Sequence, residues 1–285
     1  MIKSIKFYTR MLLKLLRRDI ISKEDYMREY DKVSATYNLW LNAMGRYTDR
    51  IIKPELLNSS KNILDLACGT GYILSKLYEN DKNSHITAVD ISSDMLSGID
   101  KVVREKIKMV NSDGINYLKS TVEIYDAIYC GWALPYFDHD ELIKLMYNRV
   151  NNQGVVSIIS NSKGTLSGIE NIFLNVMKDN QSEIDRPMEI ASNLPRDKKE
   201  LRRWFEKYGF ETLELGEDEV EFAFDRPLDL HEWITKTGAI AGTKKIFKDY
   251  EVVLEDVLKE IEKKKYREGK YVINHKFVYG IFRKR

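Results

Sequence analysis

The chain has little with which to staple itself or to cross a membrane. Its 285 residues include two cysteines, Cys68 and Cys130, too few for a disulfide framework and without metal-ligand spacing. A reduced, cytoplasmic protein with no metal site is the expectation. No apolar run approaches the roughly 20 residues of a membrane span, and no small-residue cleavage site follows the first apolar segment. A dominant charge is missing as well. Against 46 basic side chains stand 44 acidic ones, a net charge of +2, so the global basic field that gathers nucleic acid is absent and no nucleic-acid partner is expected. There is no internal repeat and no low-complexity segment. Glu262-Lys263-Lys264-Lys265 is a short charge run suited to a solvated helix end.

What is present centres on the stretch from Asn62 to Tyr78. The apolar run Ile63-Leu64-Asp65-Leu66 carries one acid, breaks into Ala67-Cys68-Gly69-Thr70-Gly71, and gives way to a helical pattern from Tyr72 to Tyr78. That predicts a strand, a tight turn and a helix start. Glycine suits the turn because φ > 0 costs it little and no Cβ holds a ligand away from the backbone. The helix behind it offers free amides above the strand's carboxyl end. Asp90 follows His85-Ile86-Thr87-Ala88-Val89, about twenty residues beyond the glycines, the distance of a ribose-binding acid on a second strand. A purely structural turn would explain the glycines but neither Asp65 nor Asp90. The third glycine of the dinucleotide fingerprint, due three residues past Gly71, is replaced by Leu74, which weakens an NAD reading.

The stretch instead resembles motif I of the class I S-adenosylmethionine-dependent methyltransferases, whose pattern is apolar-apolar-Asp-apolar-x-x-Gly-x-Gly. From Lys61 the chain alternates strand and helix, with strands at Ile107–Val110, Ile124–Cys130 and Val155–Ser160 and a helix between Asp140 and Val150, the pattern of a parallel sheet with crossover helices. The resemblance covers residues 61–160. It implies an α/β fold, a doubly wound, mostly parallel seven-stranded Rossmann-like sheet, and S-adenosyl-L-methionine as cofactor. It also implies a cofactor site: Asp65, Ala67, Cys68, Gly69 and Gly71 in the first turn, Asp90 on the ribose, and Ile91 and Met95 packed about the adenine. Ser112, Asp113 and Gly114 follow at the third turn, with Asp113 accepting from the adenine amino group, and Cys130 and Gly131 at the end of the fourth strand. Asp113-Gly114 reads equally as an ordinary turn, and Ser92 or Ser93 could cap the helix that carries Met95.

Ahead of the sheet, residues 1–60 read as a helical segment or lid. Ile2 to Ile21 sets Ile5, Tyr8, Leu12, Leu15 and Leu16 against Lys3, Lys6, Arg10, Lys14, Arg17 and Arg18, a basic amphipathic helix. Such a helix either packs on its own core or in a dimer contact, or it meets an anionic membrane or an acidic carrier. The run Tyr30 to Asn38 is similar to the segment before motif I in small-molecule methyltransferases, including the ubiquinone and menaquinone type. That likeness implies that Tyr30 or Tyr37 touches the methionine moiety. Pro54 and Asn58-Ser59-Ser60 mark the connection into the sheet. Within the expected methyltransferase domain, 61–285, residues 161–195 and 225–269 are long insertions, which in this family build a substrate lid.

Methyl transfer from a sulfonium is an in-line displacement, so the protein supplies orientation and, where the nucleophile carries a proton, a base. His139, just past the fourth strand, and His231, in the second insertion, are the base candidates, with Tyr136 beside them. Trp132, Tyr136 and Trp233 are candidates for the acceptor pocket. A small-molecule acceptor is the leading expectation. An RNA or protein methyltransferase is the alternative, and Gly131-Trp132-Ala133-Leu134-Pro135-Tyr136 stands where base-amine enzymes carry Asn/Asp-Pro-Pro-Tyr. A protein that binds S-adenosylmethionine without catalysis is the third reading.

Overall fold

The computed structural model describes residues 2–21, 23–53, 56, 62–187 and 193–285, and of residues 2–6, 23, 24, 26, 27 and 30 the backbone alone. The connection expected at Pro54 and Asn58–Ser60, the sheet start at Lys61 and the side chain of Tyr30 lie outside the described residues.

Five strands run parallel: β1 (Asn62–Leu66), β2 (His85–Asp90), β3 (Lys108–Asn111), β4 (Tyr125–Gly131) and β5 (Val150–Asn161). β6 (Phe210–Phe224), the two-residue β7 (Tyr266–Arg267) and β8 (Lys270–Lys284) complete the sheet, and β8 lies antiparallel to β5. The order is β3-β2-β1-β4-β5-β8-β6, seven strands on one path with β7 paired to β8 beside it. This is the mostly parallel sheet that the strand-helix alternation predicts, in the doubly wound Rossmann-like form that the resemblance implies. β1 is interior, so both its faces are covered, and Ile63 to Leu66 are all buried. β5 starts at Val150 rather than Val155.

The chain divides into two compact units. The sheet unit comprises residues 34–165, 191–219 and 276–285. Its core sets Leu64, Leu66, Ile128, Val156 and Ile158 against Leu118, Leu142, Ile143, Met146, Leu201 and Phe205 of the covering helices, each fully buried leucine contributing about 2–3 kcal/mol. The neighbouring positions point the other way, and there Asp65, Tyr129 and Ser157 form one row across β1, β4 and β5.

The helical unit comprises residues 1–33, 166–190 and 220–275. It unites the first helix and most of both expected insertions. Its core is built by Phe7 and Met11 with Ile172, Phe173, Val176, Leu230, Ile234, Val253, Val257 and Ile261. Arg186 grips the buried Asp25 through two bonds of 2.7 and 3.3 Å. The helical unit thus takes in the chain up to residue 33. Residues 34–53 belong with the sheet because two hydrogen bonds, described next, tie them to the first turn.

Candidate active site

Three residues of the β1 turn take left-handed backbone: Ala67 at φ 57°, Gly69 at 55° and Gly71 at 85°. A Cβ on Gly71 would come within 3.1 Å of Ile99, whereas one on Gly69 would meet only the Tyr37 ring at 3.7 Å. Gly71 is thus required by packing, and Gly69 leaves the backbone open beside Tyr37. Ala67 carries a side chain where that conformation costs an L-residue about 1–2 kcal/mol.

Asp90 ends β2 with its carboxylate over this turn. One oxygen accepts from the Gly69 N–H at 2.8 Å and the other from the Ser92 N–H at 2.9 Å. Ser92, rather than Ser93, caps the next helix through the Met95 N–H. The row position of Asp65 brings its carboxyl group close by. Both its oxygens are buried with no hydrogen-bond partner among the described residues. Burial, reinforced by the negative charge of Asp90, pushes its pKa well above the ordinary carboxylate value. Tyr37 feels the same site: burial first, then Tyr136 and Asp90, push its hydroxyl pKa up. The thiols of Cys68 and Cys130 are raised chiefly by burial and then by Asp65.

The segment before the sheet is lashed to the turn. The Thr70 hydroxyl donates to Asn38 at 3.0 Å, and the Tyr72 hydroxyl donates to Asp49 at 2.9 Å. Gly45 permits this approach, since a Cβ there would lie 2.5 Å from the Tyr72 oxygen. Trp132, directly after β4, is also left-handed at φ 63°, a strained state for a bulky residue. It is held there by four contacts. Its N–H donates to the Ile159 carbonyl at 2.7 Å, its indole N–H donates to Thr48 at 2.9 Å, and its ring meets Trp40 and Phe277 edge-on at 5.5 and 5.4 Å.

The comparisons agree with this geometry. Residues 63–154 match the family described as methyltransferase domain. Residues 63–154 are thus the part of the chain that is similar to a methyltransferase domain. A tRNA1(Val) (adenine(37)-N6)-methyltransferase of Aliivibrio salmonicida is 29% identical over 111 residues, 36% of this chain and 46% of the relative. A malonyl-(acyl-carrier protein) O-methyltransferase of Bacillus anthracis is 22% identical over 159 residues, 54% of this chain and 59% of the relative. The chain thus spans about half the length of these curated relatives. A solved protein of Bacillus halodurans C-125, classed provisionally as a methyltransferase, shares the fold with a TM-score of 0.52 at 15% identity, over 82% of this chain and 98% of that one.

S-adenosylmethionine is the cofactor of the methyltransferase domain. Two carboxylates, one of them orphaned, suit a ligand that carries a sulfonium and an ammonium charge. The structure groups Gly69, Asp90, Tyr37 and Tyr136, with Asp65, Cys68 and Cys130 adjoining. Ile91 is exposed at the end of β2 while Met95 is buried. The Ser112 N–H donates to the Asp90 carbonyl at 3.0 Å. One oxygen of Asp113 caps a helix through the Asn116 N–H, and a Cβ on Gly114 or Gly131 would press on Phe137 or Ile73.

His139 stacks on Trp204 with centroids 3.9 Å apart. His231 belongs to the helical unit, hydrogen-bonded to Tyr250 at 2.9 Å, and burial lowers its pKa to about 4, the opposite of what a base at neutral pH needs. Trp233 packs on Phe222 and Phe224 in that same unit. Sequence reasoning did not find Asn38, Gly45, Thr48 or Phe277. Asn38 closes the run that resembles the family's pre-motif segment, but nothing in the spacing of the others signals that they meet the turn.

Proposed function

We propose that the protein transfers the methyl group of S-adenosylmethionine to a small or carrier-linked acceptor whose nucleophile is ionised before it enters, a carboxylate first among them. One observation carries the reading: carboxyl, phenol and thiol groups gather about Asp90, and the Tyr37 hydroxyl and both thiols are pushed up in pKa. A carboxylate oxygen needs no base. The cofactor brings the activated methyl group. The chain holds it by Asp90 and Asp65, closes over it with Tyr37 and Tyr136, and orients the acceptor. The relative named a malonyl-(acyl-carrier protein) O-methyltransferase supports an acyl carboxylate, free or carried.

The tRNA relative suggests a base amine instead. Against it, Trp132 is buried and bonded to Thr48, so its ring is not available to stack on a flipped base. The test pairs binding with product chemistry. Calorimetry with S-adenosylhomocysteine should give one site, weakened about tenfold or more in Asp90→Ala, as loss of a charge-assisted hydrogen bond requires. With radiolabelled S-adenosylmethionine and a panel of acyl acids and acyl carriers, label should appear as base-labile methyl ester. Label in RNA alone would replace the acceptor reading, and unaltered affinity in Asp90→Ala would remove the cofactor assignment.

A further inference from the structure

The first helix, Ile2–Leu16, presents three sectors around its axis. At about 100° per residue, Phe7 and Met11 share one, and they sit in the core of the helical unit. Tyr8, Leu12, Leu15 and Leu16 share the second, Leu13 lies between it and the third, and these side chains are 43% to 72% exposed. The third holds, by position, Arg10 and Arg17, with Lys14 at its border with the first. From Ile2 to Arg18 there is no acidic residue.

Scattered apolar side chains on a surface are ordinary, but four in one sector of one helix, with Leu13 at its edge, are a patch. Its surroundings are cationic. Lys178, from the neighbouring helix Ile169–Asp179, lies 5.3 Å from the centre of the Tyr8 ring, and Arg17 and Arg18 are exposed just past the helix end. Arg10 donates to the Gln181 carbonyl at 3.0 Å, and Lys14 pairs with Asp19. No helix among the described residues is long and apolar enough to cross a membrane.

We propose that this helix docks on an anionic membrane surface, its leucine sector in the acyl boundary and its cations level with the lipid phosphates. Charge selects this occupant. A second copy of the helix would bring like charges together, whereas anionic headgroups neutralise the cations while the hydrocarbon beneath them covers the leucines. A carrier recognised by its acidic face would meet the cations and leave most of the leucine sector in water. Phe7 and Met11 meanwhile keep the helix fixed to its own unit, so docking needs no refolding.

The full chain is sedimented with vesicles of phosphatidylglycerol and phosphatidylcholine in equal parts, and with phosphatidylcholine alone. Binding is expected to the mixed vesicles and to fall with added salt. Arg17→Gln with Arg18→Gln should lower partitioning roughly thirtyfold, two cations at the interface. Leu12→Gln with Leu16→Gln should lower it by about tenfold or more. All four positions are exposed, and unchanged hydrogen-exchange protection across 166–190 and 220–275 verifies that each variant keeps the helical unit folded. Three outcomes overturn the proposal. They are absence of binding to the mixed vesicles, equal binding by both variants and the parent, or sedimentation velocity showing a dimer that the leucine variant dissociates. A column of acyl carrier protein that retains the parent but not the arginine variant, with no vesicle binding, would also overturn it and assign the surface to the carrier.

Discussion

Asp65 is the residue with most at stake. A carboxyl group buried without a hydrogen-bond partner is expensive to ionise, and its pKa in the folded chain is raised by burial and by Asp90. The folded state therefore holds this proton more tightly than the unfolded chain, whose aspartates titrate near 3.9. Below about pH 4 both states are protonated and the group costs nothing. As pH rises from there through the folded pKa, stability is progressively lost. Asp65→Asn should remove that loss, so its melting temperature should exceed the parent's by a margin that widens from acidic to neutral pH, each 1 kcal/mol adding about 2–4 °C. The same change should weaken S-adenosylhomocysteine binding by about tenfold. Scanning calorimetry across pH together with titration checks both. A variant no more stable at pH 7 than at pH 4 would contradict the burial argument, and unchanged affinity would contradict the cofactor role. Stability and function oppose each other at this position, as they do where a site keeps an unsatisfied group for its ligand.

At the scale of elements, the segment Asn38–Thr48 and the loop after β4 hold each other in place. Thr48 accepts the Trp132 indole N–H, which keeps a bulky residue in a left-handed conformation, while Asn38 and Asp49 fasten the segment to Thr70 and Tyr72. Gly45→Ala puts a methyl group where the Tyr72 hydroxyl lies. The phenol can swing away, so the fold should survive at a cost of about 1 kcal/mol. It would then let go of Asp49 and loosen the segment that carries Tyr37. We expect S-adenosylhomocysteine affinity to fall several-fold in Gly45→Ala and in Tyr72→Phe alike. Equal affinity in both variants and the parent would show that this fastening does not shape the site. The turn itself, its two glycines and Asp90 are legible in the sequence because their causes are local: a positive φ and a strand end. The fastening is not legible, because Asn38 and Thr70 stand 32 positions apart and neither residue type is unusual where it stands.

For the whole molecule, the division into units predicts separable effects. Phe7 is buried in the helical unit, and the residues about Asp90 belong to the sheet unit. Phe7→Ala should cost about 3–5 kcal/mol. Hydrogen exchange should show protection lost across 166–190 and 220–275 and retained across 62–165, with S-adenosylhomocysteine affinity within about twofold of the parent. Protection lost equally in both regions would mean that the two units unfold as one.

The sequence by itself determined the parallel sheet, the glycine turn at Gly69 and Gly71, the acid at Asp90 and the likeness to the methyltransferase domain over residues 63–154. Each depends on residues adjacent in the chain or one strand apart, where backbone sterics and strand-helix periodicity decide. Only the tertiary structure decided that the first helix and most of the two insertions gather into one unit, that His231 is buried there with its pKa lowered, and that Asp65 has no hydrogen-bond partner among the described residues. Those outcomes depend on which distant apolar faces pack together and on how much water that packing removes, and neither is written in local spacing.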